Sequence, residues 1–161
     1  MKISNELRDR AHAIAKAHGF HNEKQEPEHF LMLVITEIAE MVEADRKDFH
    51  ASGEVVKDTV EDEIADIAIR LMDFCGEYNI DVDEFTIPEH VNPVRLPITQ
   101  YAYRLTQMLV TNNIAPIATR INDVLYIINN MCRAYDIDVD KFVERKMKYN
   151  EKREMLNGKR Y

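Results

Sequence analysis

The sequence predicts an all-α fold, a helical bundle built as a pseudo-duplicated pair of helical units. Apolar residues recur at the helical period almost throughout, and no stretch alternates as a half-buried strand would. Only four glycines interrupt 161 residues. The third observation is an echo: at an offset of 57, Asn79-Ile-Asp-Val-Asp-Glu-Phe85 returns as Asp136-Ile-Asp-Val-Asp-Lys-Phe142. Upstream, Cys75 meets Cys132, Tyr78 meets Tyr135, Ile64 meets Ile121 and Asp66 meets Asp123. Such a match reads as an old duplication, although a shared helix-turn-helix solution would also produce it.

The elements follow in order. Ile3, Leu7, Ala11, Ile14 and Ala15 mark a first helix, capped by Ser4 and stopped at Gly19. Pro27, suited to a first helical turn, opens a second that carries Phe30, Leu31, Val34, Ile35, Ile38 and Val42. A third follows Ser52-Gly53 with the stripe Val56, Val60, Ile64, Ile67, Leu71, Phe74, Cys75 and Tyr78. Three prolines between Thr86 and Pro97 rule out a continuous helix there. Helices are then expected over Ile98 to Val110, Pro116 to Tyr135 and roughly Asp138 to Met155. One domain, 1–161, is the expectation: unit one over about 1–87, a linker over about 88–97, and unit two over about 98–161.

Composition excludes several classes. Cys75 and Cys132 are the only cysteines and both sit in helical apolar patterns, so neither a disulfide framework nor a cysteine zinc site is suggested. No apolar run approaches the length of a membrane span, and Met1 to Arg10 lacks the apolar stretch of a signal peptide. A soluble, cytoplasmic protein in a reducing setting is expected. The net charge of −8 is unevenly spread: Lys141 to Tyr161 holds eight Lys/Arg against three acids. A basic tail serves phosphate, nucleic acid or solubility, and the overall acidity argues against a dedicated nucleic-acid binder.

The chemistry concentrates in two acidic pairs, Glu37/Glu40 and Glu63/Asp66, on the second and third helices. Residues three apart share a helix face, so each pair sets two carboxylates side by side. Spacing alone says little in a chain with 29 acids; position relative to the apolar stripe says more. At 100° per residue, Phe30 lies about 20° from Glu37, and Val56 and Phe74 about 20° from Glu63. Both pairs therefore border their stripes on the same rotational edge. A short connection from about Asp48 to Glu54 favours an antiparallel hairpin, which keeps equivalent edges together. Four converging carboxylates need cations, and an all-oxygen set without histidine suits Mg²⁺, or Mn²⁺, better than iron. Glu43, Glu61 and Asp62 project elsewhere and read as surface charge. Unit two keeps no such acids: Arg120 stands where Glu63 would be, and Val91 to Asn122 holds no Asp or Glu.

Glu37-Ile-Ala-Glu40 followed after 22 residues by Glu63-Ile-Ala-Asp66 resembles the ExxE…ExxD signature of the MazG-like all-α nucleotide pyrophosphohydrolases. Lys146-x-x-x-Asn150-x-x-Arg153 is similar to the basic tail of those domains, and Asn157-Gly-Lys-Arg-Tyr161 to the His-Gly-Lys-Lys-Tyr ending of some members. The resemblance implies Mg²⁺-dependent hydrolysis of a nucleoside triphosphate to monophosphate and pyrophosphate, with Glu37, Glu40, Glu63 and Asp66 as metal-binding and catalytic residues. Lys146, Asn150 and Arg153 share a helix face and would bind phosphate. His12 and His21 precede Glu37 at the spacing where dCTP-pyrophosphatase-like members place a histidine and an aromatic against the nucleoside, though His21 departs from the aromatic.

In simple MazG domains the tail follows soon after the ExxD helix, whereas here a second helical unit intervenes. A fused pseudo-dimer with one composite site is the expectation, and a homodimer remains open beside it. The alternatives are a non-catalytic helical module that senses nucleotide or binds a partner, and a helical assembly protein. The latter leaves the matching acid edges unexplained.

Overall fold

The computed structural model describes residues 1–88, 92–111 and 115–158. It is all-α, with six helices and a short 3₁₀ turn: α1 (Asn5–Ala17), α2 (Pro27–Arg46), α3 (Val60–Glu77), α4 (Ile98–Val110), α5 (Ile117–Tyr135), α6 (Val139–Asn150) and the turn Met155–Gly158. No described helix is long and apolar enough to cross a membrane. Cys75 and Cys132 are free and buried, and burial pushes both thiols up to about 12.

Local chemistry explains most boundaries. The Ser4 hydroxyl accepts from the Leu7 amide at 3.2 Å, and Pro27 stands in the first turn of α2. Thr59 caps α3 by accepting from the Asp62 amide, while Asp62 Oδ2 accepts from the Asp58 amide at 3.1 Å. The third helix therefore starts at Val60, and Val56 reaches the core from the preceding loop. The connection between α2 and α3 is 47–59, longer than the sequence suggests, because Thr59 competes successfully for the helix start.

The second and third helices form an antiparallel hairpin. Phe30 meets Phe74 and Tyr78 at one end, Glu37 meets Arg70 midway, and the Val60 amide donates to the Phe49 carbonyl at the other. Helix α3 is the axis of the molecule, packed by α1, α2, α5 and α6, while α4 covers α2 and α5. Its first turns are buried all round, Glu61, Asp62 and Glu63 included, while further along only the stripe of Ile67, Leu71, Phe74 and their neighbours is buried.

The echoed stretches share a helix-ending geometry. Asn79 and Asp136 both take left-handed backbone, at φ 51° and 58°. The Ile80 amide returns to the Cys75 carbonyl and the Ile137 amide to the Cys132 carbonyl, each at 2.8 Å. Past that point they diverge. Asp138 caps α6, whereas Asp81 and Asp83 accept hydrogen bonds from Asn5 of α1.

Gly76 explains how closely α1 approaches α3. A Cβ there would stand 2.5 Å from His12 Cβ and 2.7 Å from His12 Cγ, atoms that cannot swing aside. Gly76→Ala gains up to about 1 kcal/mol of helix propensity but overpacks the contact at about 1–3 kcal/mol. A net loss of stability is expected in denaturant melts, and a gain would show that α1 yields freely.

Candidate metal centre

The acidic edges meet as the antiparallel hairpin requires. Carboxylate oxygens of Glu37, Glu40 and Glu63 all lie within 4.8 Å of one another. Glu37 and Glu63 are buried, Glu40 is exposed, and the cluster opens into a cleft of about 260 Å³. Asp66 also lines the cleft but belongs to a different pairing. Lys146 Nζ bonds Asp66 Oδ2 and Asp62 Oδ2, each at 2.7 Å, and is itself only 7% exposed.

Burial acts strongly here. It raises the Glu63 carboxyl, with Asp66, Glu37 and Glu40 adding to the shift and Lys146 opposing it, to about 8. Asp66 is likewise raised by burial to about 6, with Lys146 drawing it down and Glu37 pushing it up. Lys146 is pulled down by burial, yet the charge of Asp66 and the hydrogen bonds of both aspartates outweigh that and hold it above the ordinary lysine value. The Oε2 of Glu63 is buried without a hydrogen-bond partner among the described residues. A buried carboxylate oxygen left unpaired among like charges is the signature of a place prepared for a cation, so these residues fit a hard divalent ion.

A stability consequence follows from the raised carboxyls. Their folded pKa values exceed the unfolded ones, so the folded chain binds more protons than the unfolded chain across that window. The stability they contribute is fully present below about pH 4 and is lost as pH rises through about 6 and about 8. Chelator-treated protein is expected to melt lower near pH 8.5 than near pH 5.5, with Mg²⁺ restoring most of the difference. A melting temperature that rises over this range would contradict the electrostatic reading.

Three expectations are corrected. Glu61 and Asp62 are not surface charges: Glu61 accepts from the Ala51 amide at 2.8 Å and pairs with His50 at 3.0 Å, and Asp62 holds Lys146. Only Glu43 is as expected, exposed and paired with Arg46 and Lys47. The last helix ends at Asn150 rather than near Met155, because the following chain turns to dock on the loop after α1, where the Leu156 amide donates to the His18 carbonyl at 2.8 Å. Arg153 thus leaves the face shared by Lys146 and Asn150, though all three still line the cleft. The ending Lys159 to Tyr161 lies outside the described residues.

His12 and His21, expected against the nucleoside, stand behind the cleft wall. Both bond Asp73, at 2.9 and 2.7 Å, and it is Asp73 that faces the cleft. The apolar wall is built by Ile14, Phe20, Phe30 and Leu33.

Sequence reasoning missed Arg70 and Asp73 as cleft residues. The signal was present: Glu63, Asp66, Arg70 and Asp73 fall at i, i+3, i+7 and i+10, one face of α3. Arg70 Nε donates to Glu37 Oε1 at 2.5 Å. Compared with known protein families, curated proteins and solved structures, the chain matches none of them.

Proposed function

We propose that the chain is a Mg²⁺-dependent nucleotide pyrophosphohydrolase, cleaving a nucleoside triphosphate to monophosphate and pyrophosphate. One observation carries the reading: Glu37, Glu40, Glu63, Asp66, Arg70, Lys146, Asn150 and Arg153 all face one cleft whose other wall is apolar and aromatic. Phosphates need cations and donors, a nucleoside needs a flat apolar surface, and the cleft offers both side by side.

Glu37, Glu40 and Glu63, with Asp66 beside them, would hold the metal. Mg²⁺ or Mn²⁺ bound there supplies neutralisation of phosphate oxygens and a lower pKa for an attacking water. The chain's own groups do the positioning. Arg70 orients Glu37, and Lys146 fixes Asp66 through a bond that also engages Asp62. Asn150 Oδ1 is buried without a hydrogen-bond partner among the described residues, and Arg153 lies over the Tyr149 ring at 5.5 Å. These two add a polar contact and a cation to the cleft lining. Phe20, half-buried on the cleft wall, provides a face on which a base stacks, while Phe30, buried and stacked on His21, backs that wall.

The test is a panel of canonical and modified nucleoside triphosphates with Mg²⁺, scored for pyrophosphate against orthophosphate. Pyrophosphate is expected; orthophosphate alone would overturn attack at the α-phosphorus. A second reading, nucleotide binding without turnover, is favoured by the ion pair that ties Asp66 to Lys146. Saturable binding with neither product would select it.

A further inference from the structure

His12 on α1 and His21 on the loop after it converge on Asp73 and Glu77 near the end of α3. Asp73 Oδ1 contacts His12 Nδ1 at 2.9 Å and His21 Nε2 at 2.7 Å. A carboxylate only accepts, so those two nitrogens carry the protons. In neutral rings, His12 Nε2 and His21 Nδ1 are then bare lone pairs. Both are turned toward Glu77 Oε2, at 3.8 and 3.0 Å. One ligand atom from each of His12, His21 and Glu77 lies within 4.8 Å of the others, and electron-rich atoms brought so close favour a cation, proton or metal, among them.

We propose that His12, His21 and Glu77 form a binding site for a zinc-class divalent ion, separate from the acidic cluster, with Asp73 orienting both rings. The ligand types match: imidazole nitrogens with one carboxylate oxygen suit Zn²⁺, whereas Mg²⁺ prefers oxygen alone. The backing also matches, since metal-bound histidines commonly donate their other N–H to a carboxylate. The rings stand edge to face with centroids 4.5 Å apart, and His21 stacks on Phe30 at 5.3 Å, so neither turns freely. Gly76, between Asp73 and Glu77, is what lets His12 come so near. Coordination at about 2.0–2.2 Å needs the three side chains to draw in slightly. Glu77, 35% exposed, gives the ion a way in and leaves room for a water as fourth ligand.

Protons are the competing cation. Burial lowers the His21 pKa, but its hydrogen bond with Asp73 and the charges of Asp73 and Glu77 outweigh that and the opposing Lys16, leaving it raised. Metal uptake therefore releases protons and weakens as pH falls. The site ties α1 and its following loop to α3. That loop carries Phe20 of the cleft wall, so an ion here braces the wall without touching the acids.

The test uses the full chain, stripped by chelator and kept in excess Mg²⁺ so that the carboxylate cluster is occupied. Co²⁺ is then titrated for the visible bands of a four-coordinate ion, and Zn²⁺ is followed by calorimetry. One equivalent is expected, with proton release, a melting temperature raised by several degrees, and displacement of Co²⁺ by Zn²⁺. His12→Gln and His21→Gln should each weaken Zn²⁺ binding at least 100-fold, and Glu63→Gln should leave it unchanged. Glu77→Gln, at an exposed position that tolerates change, should weaken it at least tenfold. Absence of a Co²⁺ band in the wild-type chain, equal affinity in Glu77→Gln, or loss in Glu63→Gln would each overturn the site. None of these readouts depends on nucleotide turnover.

Discussion

Glu63→Gln is expected to abolish pyrophosphate release while making the metal-free protein more stable. The side chain is 3% exposed, its Oε2 has no hydrogen-bond partner among the described residues, and burial with three neighbouring acids raises its pKa to about 8. Glutamine keeps the shape and removes the charge. Stripped of metal above about pH 8, the variant escapes a repulsion that the wild type bears, so its melting temperature should rise. Turnover should fall about a thousandfold or more, equivalent to about 4 kcal/mol of transition-state stabilisation. The rise in melting temperature on adding Mg²⁺ should vanish. Thermal melts with and without Mg²⁺, beside a pyrophosphate assay, read all three effects. Unchanged turnover would remove Glu63 from the metal site, and a loss of metal-free stability would refute the charge argument. Opposite signs for stability and activity also separate this outcome from simple unfolding.

Lys146→Met should act in the reverse sense on stability. It leaves Asp62 and Asp66 facing each other in a buried place with no cation. Removing one partner of a buried ion pair costs about 3–5 kcal/mol, because the other charge stays behind. The loss should be largest near neutral pH and smaller near pH 5, where Asp66, already raised to about 6 beside Lys146 and raised further without it, takes up a proton. Added Mg²⁺ should recover part of it by supplying the missing charge. Urea melts at the two pH values measure this directly. Arg153→Ala, at the cleft mouth, is the contrast: stability within about 0.5 kcal/mol of wild type, with a raised KM if phosphate binds there. Equal destabilisation at both pH values would mean that Lys146 contributes packing rather than charge.

The helices and the convergence of the acid pairs were legible in the sequence because both rest on local periodicity. Phe30 and Phe74 lie beside their acids on the wheel, and the hairpin brings them together as that edge demands. Asp62 and Glu61 were misread for the same reason. A wheel assumes one buried stripe, whereas the first turns of α3, 60–65, are buried all round, so residues projecting away from the stripe meet α6 or the loop 47–59 instead of water. The fate of Lys146 was equally hidden. A lysine on a basic helix face is indistinguishable in sequence from one that inserts between two aspartates 84 and 80 residues earlier. His12 and His21 were found by spacing, but which side of the wall they occupy depends on the close approach at Gly76.

The separation between Lys146 and its aspartates also orders events in time. A ribosome adding about 5–20 residues per second needs roughly 4–17 s to travel from Asp62 to Lys146. Throughout that interval Asp62 and Asp66 lack the counter-charge that Lys146 supplies in the folded chain. The ion pairs that tie α6 to α3 therefore close only once the last helix has emerged. A chain broken off before Lys146 would be no smaller version of the fold, but one whose buried aspartates still lack their cation.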